Sequence, residues 1–314
     1  MRTYALALAL LLFLVPPAWC AGPDPAPPTD GQKAFRFGFS SHIFIDTNEN
    51  DARAALRVWL QTLARERGVI VDTEPIILNS AEAIRRALGE KRIDAVTLPL
   101  DEYRAVREDV SPDTLIVSAH EDGFEEEYVL LVHVESGIDD LADLRGRSLL
   151  FWSNARGGLS TAWMDVTLMR AGLAPVAEFC RTTQERKLNK VVLPVFFRGA
   201  DACVATRHGF KTMAELNPQV GQQLKVIAVS EPLVPSAFYF RRDYQGPVRE
   251  MIERDLNTVT DSPAGQQVQT LFQFGSLHTK PISVLKSALD LLDEHERLSE
   301  TQRKAAAAST GGQS

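Results

Sequence analysis

The sequence predicts an α/β protein of two lobes, each a mostly parallel β-sheet flanked by helices, joined by two hinge strands. Strands and amphipathic helices alternate in two successive βαβαβ units, which is the first observation behind this prediction. The second is size, because 314 residues of which 45% are hydrophobic leave room for two cores. We expect each sheet to form a ligand crevice outside the carboxyl ends of its parallel strands.

The first βαβαβ unit lies within residues 34–118. It begins with the strand FRFGFS and continues with a helix from Glu49 to Gly68, in which apolar residues recur at helical spacing. A second strand and a helix capped by Ser80 precede the strand IDAVTLP. Because strands linked through helices lie parallel, this unit predicts the sheet of lobe one.

The same order recurs within residues 119–233 and predicts the sheet of lobe two. The predicted elements are, in order, the strand SLLFWS, a turn with two adjacent glycines, a helix from Thr161 to Ala171, the strand EFCRTT, a helix from Gln184 to Phe196, and the strand ADACVAT. Both units therefore present the same kind of loop at the carboxyl ends of their strands.

Two extended apolar stretches, EEEYVLLVHV and LKVIAVSEPLVPSAFYFRR, are predicted to carry the chain out of lobe one and back. Helices near Val248 to Val259 and near Ile282 to Leu292 then rejoin lobe one. The predicted lobes are residues 34–118 with 234–298 for lobe one, and 119–233 for lobe two.

The N-terminus has the pattern of a secretory signal peptide. Arg2 precedes an apolar run from Ala5 to Val15, and small residues precede a cleavage position after Cys20. We therefore expect an exported protein, with a lipid anchor at Cys20 as the alternative. The other predicted segments are a signal peptide over 1–20, a proline-rich linker over 21–33 and a flexible tail over 299–314.

Charge and motifs exclude several classes of function. The net charge of -7 and the scattered Lys and Arg residues give no surface for nucleic acid. No GxSxG, HExxH or P-loop motif is present, so we expect no catalytic residue, metal or cofactor. Cys180 and Cys203 lack metal-ligand spacing and are predicted as buried thiols rather than a disulfide. The acidic run from 121 to 127 is predicted as a solvated face.

Two segments carry a family resemblance in their order and spacing. SGIDDLADLRGRSLLF lies at the predicted entry to lobe two, and GADACVATRHGF closes its unit. FGFS, DARAALRVWLQTLARERGV and IDAVTLPLDEY precede them, and VIAVSEPLVPSAFYFRRD follows. In the order and spacing of all these segments, over nearly the whole mature chain, the protein resembles the phosphate and phosphonate type of periplasmic solute-binding proteins of ABC transporters. The resemblance implies a periplasmic clamp that closes on a small solute and presents it to an ABC permease. We expect a monomer.

A loop before the first helix of lobe two is the predicted anion site. It follows a strand and leads into a helix, whose start offers unpaired N–H groups and a partial positive charge. Adjacent glycines allow an anion to approach the main chain closely, and the planar guanidinium of an arginine can donate two parallel hydrogen bonds to it. The predicted ligands are Asn154, Arg156, Gly157, Gly158, Ser160 and Thr161. In the alternative the loop is only a turn, Ser160 caps the helix and Arg156 is solvated.

Two loops of lobe one are predicted to face this site. The loop FSSHIFID supplies Ser41 and His42, and the loop LPLDEY supplies Asp101 and Tyr103. The family places a tyrosine-bearing loop at this second position. As alternatives, Tyr103 packs in the core and His42 has a structural role.

Thr206 and Arg207 complete the predicted ligand set. The family often carries an acidic residue after the GADACVA strand, whereas this chain has Thr206 followed by Arg207. The exchange of a carboxylate for a cation favours a more anionic solute, of the phosphate, phosphite or phosphonate class.

Two other functions stay open at this point. The closed form could be presented to a membrane signalling protein rather than to a permease, because closure serves either partner. An enzyme on the same fold would need a catalytic carboxylate or histidine in the cleft, for which His42 is the candidate.

Overall fold

The computed structural model describes residues 33–44, 48–153 and 156–311, with side chains up to Lys304. Residues 33–314 form one compact unit. Cys20, the predicted signal peptide and the predicted linker up to residue 32 lie outside the described ranges, as does Asn154.

Two mixed sheets organise the described chain, and we refer to them as lobe one and lobe two. The six strands of lobe one are β1 (Phe37–Ser40), β2 (Ile76–Leu78), β3 (Ala95–Pro99), β4 (Thr114–Ala119), β10 (Ser236–Phe240) and β11 (Ser276–Pro281). They lie in the order β11-β4-β10-β3-β1-β2. Strands β1 to β4 share one direction, and β10 and β11 run against them.

Lobe two is a five-stranded sheet. Its strands are β5 (Tyr128–His133), β6 (Ser148–Trp152), β7 (Arg181–Glu185), β8 (Ala202–Thr206) and β9 (Leu224–Val229), in the order β7-β6-β8-β5-β9. Only β5 runs against the others. The predicted α/β class with two sheets flanked by helices is confirmed, but both sheets are mixed rather than mostly parallel.

Helices cover both faces of the two sheets. They are α1 (Glu49–Arg67), α2 (Ala81–Gly89), α3 (Leu100–Val106), α4 (Ser160–Arg170), α5 (Val176–Phe179), α6 (Leu188–Phe196), α7 (Arg207–Leu216), α8 (Pro218–Gln223), α9 (Pro247–Asp255), α10 (Pro263–Phe272) and α11 (Lys286–Gly311), with short 3₁₀ turns at Ser41–Ile43, Ala142–Leu144 and Ile282–Leu285. Capping explains the boundaries that the sequence predicted well. Ser80 Oγ accepts the Ala83 N–H at 3.2 Å at the start of α2, and Gly68 ends α1 with φ of 64°.

Two predicted boundaries in lobe two are wrong. Pro175 and the Asp165 carboxylate, which accepts the Val176 N–H at 2.7 Å, start the helical turn α5 where a strand from Glu178 was predicted. The strand β7 instead pairs with β6 along its whole length to Glu185, so α6 begins at Leu188 rather than Gln184.

The last helix differs from the sequence prediction in length. Helix α11 runs to Gly311, whereas the sequence predicts a tail from residue 299 onward. Alanine has the highest helix propensity of all residue types, so the alanine run at 305–308 accounts for the longer helix. Arg104 of α3 and Arg170 of α4 both pair with carboxylates of α11, at 2.9 Å to Glu296 and 2.9 Å to Glu294. Helix α11 therefore contacts elements of both lobes.

The chain crosses between the two sheets in two segments that pair with each other. Glu126 and Leu233 form an antiparallel bridge, with N–H to carbonyl distances of 2.7 and 3.0 Å. A tight turn precedes it, closed by two hydrogen bonds between His120 and Gly123, where Gly123 adopts a φ of 123° that favours glycine. The bridge to Leu233 and the preceding turn therefore fix the backbone at Glu126 and just before it.

Candidate functional site

A pocket of about 160 Å³ extends from the crossing segments into lobe one. His120, Glu126 and Arg156 line it at the crossing, and one face of the lobe-one sheet forms its floor. The mouth of the pocket lies at the carboxyl edge of the parallel strands, where α/β sheets commonly bind ligands.

The floor changes from polar to apolar along the strands, because alternate residues of a strand share one face. At the edge of the sheet Ser236 and Ser118 face the pocket. Two residues further down, Phe238 pairs with Thr97 on β3 and with Ile116 on β4. Phe37, at the start of β1, also belongs to the floor. Hydroxyl groups thus lie at the mouth and apolar side chains below them.

Helices form the opposite wall with apolar side chains. The wall residues include Leu56 and Trp59 of α1, Ile252 of α9, and Val268 and Phe272 of α10. Trp59 is held by a hydrogen bond from its indole N–H to the Val259 carbonyl at 3.1 Å. We call this apolar part of the pocket, between the sheet floor and these helices, the lobe-one chamber.

A buried ion pair lies at the mouth of the pocket. Arg156 Nη1 is 3.5 Å from Glu126 Oε1, and the two side chains are only 11% and 7% exposed. Arg156 also donates a hydrogen bond to the carbonyl of Gln273, at the end of α10 in lobe one. The guanidinium of a lobe-two loop therefore binds oxygen atoms from the crossing segment and from lobe one.

Hydrogen bonds hold the Arg156 loop from both ends. The fully buried Tyr128 donates its hydroxyl to the Arg156 carbonyl at 2.6 Å. Ser160 donates both its hydroxyl and its N–H to the Gly157 carbonyl, at 2.6 and 2.9 Å. These bonds fix the backbone from which Arg156 reaches the pocket.

Burial shifts the pKa of both members of the ion pair. It raises the pKa of Glu126 above its usual value, and Arg156 opposes this rise only in part. It lowers the pKa of Arg156, which Glu126 in turn opposes. Each charge is therefore costly to bury and depends on the other.

A second charged cluster lies beside this pair. The rings of His120 and His208 stack with centroids 4.9 Å apart, and His208 Nδ1 is 2.9 Å from Asp122 Oδ2. Lys211 pairs with the same carboxylate at 3.0 Å. Burial, followed by the nearby Arg156 and His208 charges, lowers the pKa of His120 to about 4.

This shift predicts a dependence of stability on pH. Because His120 has a usual pKa of 6.5 and a folded one of about 4, the folded chain binds fewer protons between these values than the unfolded chain. The His120 contribution is present above pH 6.5 and is lost as the pH falls towards 4. In urea titrations at several pH values, the free energy of unfolding of the native protein relative to a His120→Asn variant should fall over this range. A difference that does not change with pH would contradict the environment described for His120.

A polar pair lies at the carboxyl ends of β1 and β3. His42 Nδ1 is 2.8 Å from Glu102 Oε1, and the Glu102 side chain is 8% exposed while that of His42 is 61% exposed. The carboxylate places the His42 proton on Nδ1, so the outer nitrogen of the ring is directed to solvent. The second Glu102 oxygen is buried without a hydrogen-bond partner among the described residues.

The remaining predicted site residues have other partners or exposures. Tyr103 is buried and stacks on Tyr239 with centroids 4.8 Å apart, whereas Asp101 is exposed and Ser41 is half-buried. In lobe two, Thr206 is buried and caps α7 by accepting the Gly209 N–H at 3.1 Å.

Arg207 pairs with Glu127 at 2.6 Å on the surface. In the Arg156 loop Gly157 is buried, Gly158 is exposed and Thr161 is half-buried. Among the described members of the predicted ligand set, Arg156 is the residue that lines the pocket.

Sequence reasoning missed Glu126 and His120 as pocket residues. The acidic run 121–127 was predicted as a solvated face, which is wrong for Glu126 because the bridge to Leu233 turns it inward. The available signal was strand alternation, since Ile116, Ser118 and His120 follow one another at every second position. Cys180 and Cys203 are buried free thiols, as predicted.

Comparison with known proteins identifies the family. The family model for the periplasmic substrate-binding protein of ABC phosphonate transporters matches residues 43–279. The chain belongs to this family, which consists of binding proteins rather than enzymes and acts in the periplasm. No curated protein sequence matches the chain. In the described residues, no helix has both the length and the apolar character needed to cross a bilayer.

Three solved structures share the fold. The protein XAC2383 of Xanthomonas citri, bound to ATP, is 15% identical with a TM-score of 0.60, over 86% of this chain and 99% of that one. A binding-protein component of an ABC phosphonate transporter from Pseudomonas aeruginosa is 14% identical with a TM-score of 0.54, over 88% and 99%. PhnD1 from Prochlorococcus marinus, in complex with methylphosphonate, is 14% identical with a TM-score of 0.54, over 82% and 97%. These similarities confirm the two-lobed fold.

Proposed function

We propose that the protein binds a small anionic solute of the phosphate, phosphite or phosphonate class between its lobes and delivers it to the permease of an ABC importer. The observation that carries this proposal is the buried guanidinium of Arg156, which reaches from a lobe-two loop to oxygen acceptors at the crossing and in lobe one. Membership of the phosphonate family supports the same class of solute. We expect the protein to act as a monomer.

The chemistry around Arg156 suits an oxyanion. A guanidinium presents several N–H donors in one plane and binds carboxylate or phosphonate oxygens through pairs of hydrogen bonds. The loop continues into α4, whose first turn adds partial positive charge. Ser160 and Thr161 belong to this turn, and the exposed Gly158 leaves its backbone open to a solute.

Glu126 would exchange places with the solute on Arg156. Its carboxylate already shows that an oxygen acceptor reaches the guanidinium. Because burial raises the pKa of Glu126, this carboxyl takes up a proton more readily than an exposed one when the solute replaces it. The solute and Glu126 therefore compete for one cation.

Lobe one would supply the second half of the site. The outer nitrogen of His42 accepts a hydrogen bond from a protonated phosphonate oxygen, or donates one when the ring itself is protonated. Glu102 fixes the orientation of this ring from below. Ser41 and Asp101 lie beside it at the same sheet edge, and Thr206 and Arg207 are proposed to face them from lobe two.

A thermal-shift screen tests the proposal. The native protein would be heated with phosphate, phosphite, methylphosphonate, sulfate and acetate in parallel. A bound anion at 100 times its dissociation constant should add about 2.7 kcal/mol to the free energy of unfolding. The bound anion should lose affinity at least tenfold with Gly158→Val, in which a side chain blocks the approach to the loop.

The control for this variant is Gly89→Val, at the end of α2, where an added Cβ meets no atom within 4 Å. It should bind the anion as the native protein does. If none of the five anions raises the melting temperature, or if a folded Gly158→Val variant keeps native affinity, the proposed anion site is wrong.

A further inference from the structure

The lobe-one chamber is larger than close packing of a protein core explains. Its floor residue Phe238 lies on β10, between β3 and β4 in the middle of the sheet, yet its ring is only half-buried. Trp59, Phe272 and Leu277 are also half-buried around it. Protein interiors normally leave few voids larger than a water molecule. The helices therefore stand away from this face and leave a space that side chains of the described residues do not fill.

The size and the lining of the chamber suit one kind of ligand group. A cavity of about 150 Å³ lined by Leu, Ile and Phe stays dry and binds benzene, and the pocket here measures about 160 Å³. The deep lining is mostly aromatic and aliphatic, with Thr97 and Thr260 among these side chains, whereas the charged groups occur at the mouth. Because the 160 Å³ includes the polar mouth, the apolar part has room for a ring or branched chain of at most about six carbon atoms.

The charged residues at the mouth of the chamber indicate which polar head the apolar group of the ligand carries. Arg156 and Glu126 line the same pocket as Phe37 and Val268, so a molecule with its polar head at Arg156 is continuous with the apolar space. Ser118 and Ser236 lie at the mouth and can donate hydrogen bonds to an oxygen of the head. Head and apolar arm would thus be recognised by one continuous site.

We infer that the solute carries an aryl or branched-alkyl arm, and that the chamber binds this arm while Arg156 binds the anionic head. The assignment of the anionic head to Arg156 rests on the proposed function, whereas the assignment of the arm rests on the chamber alone. A phosphonate with only a methyl group would leave the chamber unfilled and would bind less tightly than one with an arm. The chamber therefore selects among solutes that share the same charge.

Calorimetry with a matched pair of ligands tests the arm. The native protein should bind phenylphosphonate at least tenfold more tightly than methylphosphonate, a difference of about 1.4 kcal/mol. Val268→Phe, in the chamber wall at 5% exposure, should reduce this preference below threefold. The matched control is Val58→Phe on the outer face of α1, at 48% exposure, which should keep the native preference.

A neutral probe separates the arm from the head. Binding of fluorobenzene can be followed by fluorine NMR, and it should be saturable with the native protein. Val268→Phe should abolish this binding because the larger side chain fills the chamber. Thr97→Phe should do the same as a second variant that fills the chamber. If fluorobenzene binds in this way while no phosphonate binds, the chamber is upheld and the proposed anionic head is wrong. Equal affinities for the two phosphonates, without saturable fluorobenzene binding, would overturn the inference.

Discussion

Replacing Arg156 by alanine should lower the free energy of unfolding by about 3–5 kcal/mol and weaken solute binding at least tenfold. The stability loss arises because Glu126, which is 7% exposed, would remain buried without its cation. The binding loss arises because the variant removes a charge-assisted hydrogen bond, for which about 1.5–3 kcal/mol is typical. Urea unfolding and calorimetry measure the two effects separately.

The double variant Arg156→Ala with Glu126→Gln separates stability from binding. Since it removes both charges, it should recover most of the lost free energy of unfolding but none of the solute affinity. A double variant as unstable as Arg156→Ala alone would show that the ion pair does not account for the loss. Native affinity in either variant would show that Arg156 does not hold the solute.

Replacing Asp94 by alanine should cost about 3 kcal/mol of stability and leave solute binding unchanged. Asp94 lies just before β3, at the amino end of the sheet and away from the pocket mouth. Its side chain is 8% exposed, accepts the Arg36 N–H at 2.9 Å and pairs with Arg241. Arg241 keeps Asp243 as a partner, so the cost is at the lower end of the range for a broken buried pair.

Asp94→Ala is therefore the comparison for Arg156→Ala, because it reduces stability through a buried charge far from the site. Urea titration of both variants, with calorimetry on each folded protein, gives the comparison. Weaker solute binding by Asp94→Ala would mean that reduced stability alone lowers the affinity, and the effect of Arg156→Ala could no longer be assigned to contact with the solute.

Local signals made most of the fold predictable. The Ser80 cap defines the start of α2 and Gly68 the end of α1, and apolar periodicity defines the buried faces of both helices. The wrong boundaries lie where a tertiary contact, rather than the local sequence, determines the secondary structure. The Asp165 carboxylate starts α5 from eleven residues away, and pairing with β6 extends β7 over residues that also suit a helix.

The site was predictable only in part, for a related reason. The glycines and the helix start indicated the Arg156 loop, which lines the pocket. Glu126 could not be distinguished from its acidic neighbours, because its burial depends on a bridge to Leu233 more than 100 residues away. The existence of the chamber depends on the distance of α1, α9 and α10 from the sheet. The residue pattern within a single helix or strand does not predict that distance.

A crystal structure of the protein with 4-bromophenylphosphonate would locate both ends of the ligand in one experiment, because phosphorus and bromine mark them. We expect the phosphonate oxygens within hydrogen-bonding distance of the Arg156 guanidinium, with Glu126 displaced from it. The bromine anomalous signal should lie in the chamber, between Phe37 and Val268. A phosphonate bound elsewhere, with Arg156 still paired to Glu126 and to the Gln273 carbonyl, would show that Arg156 and the chamber do not form the solute site.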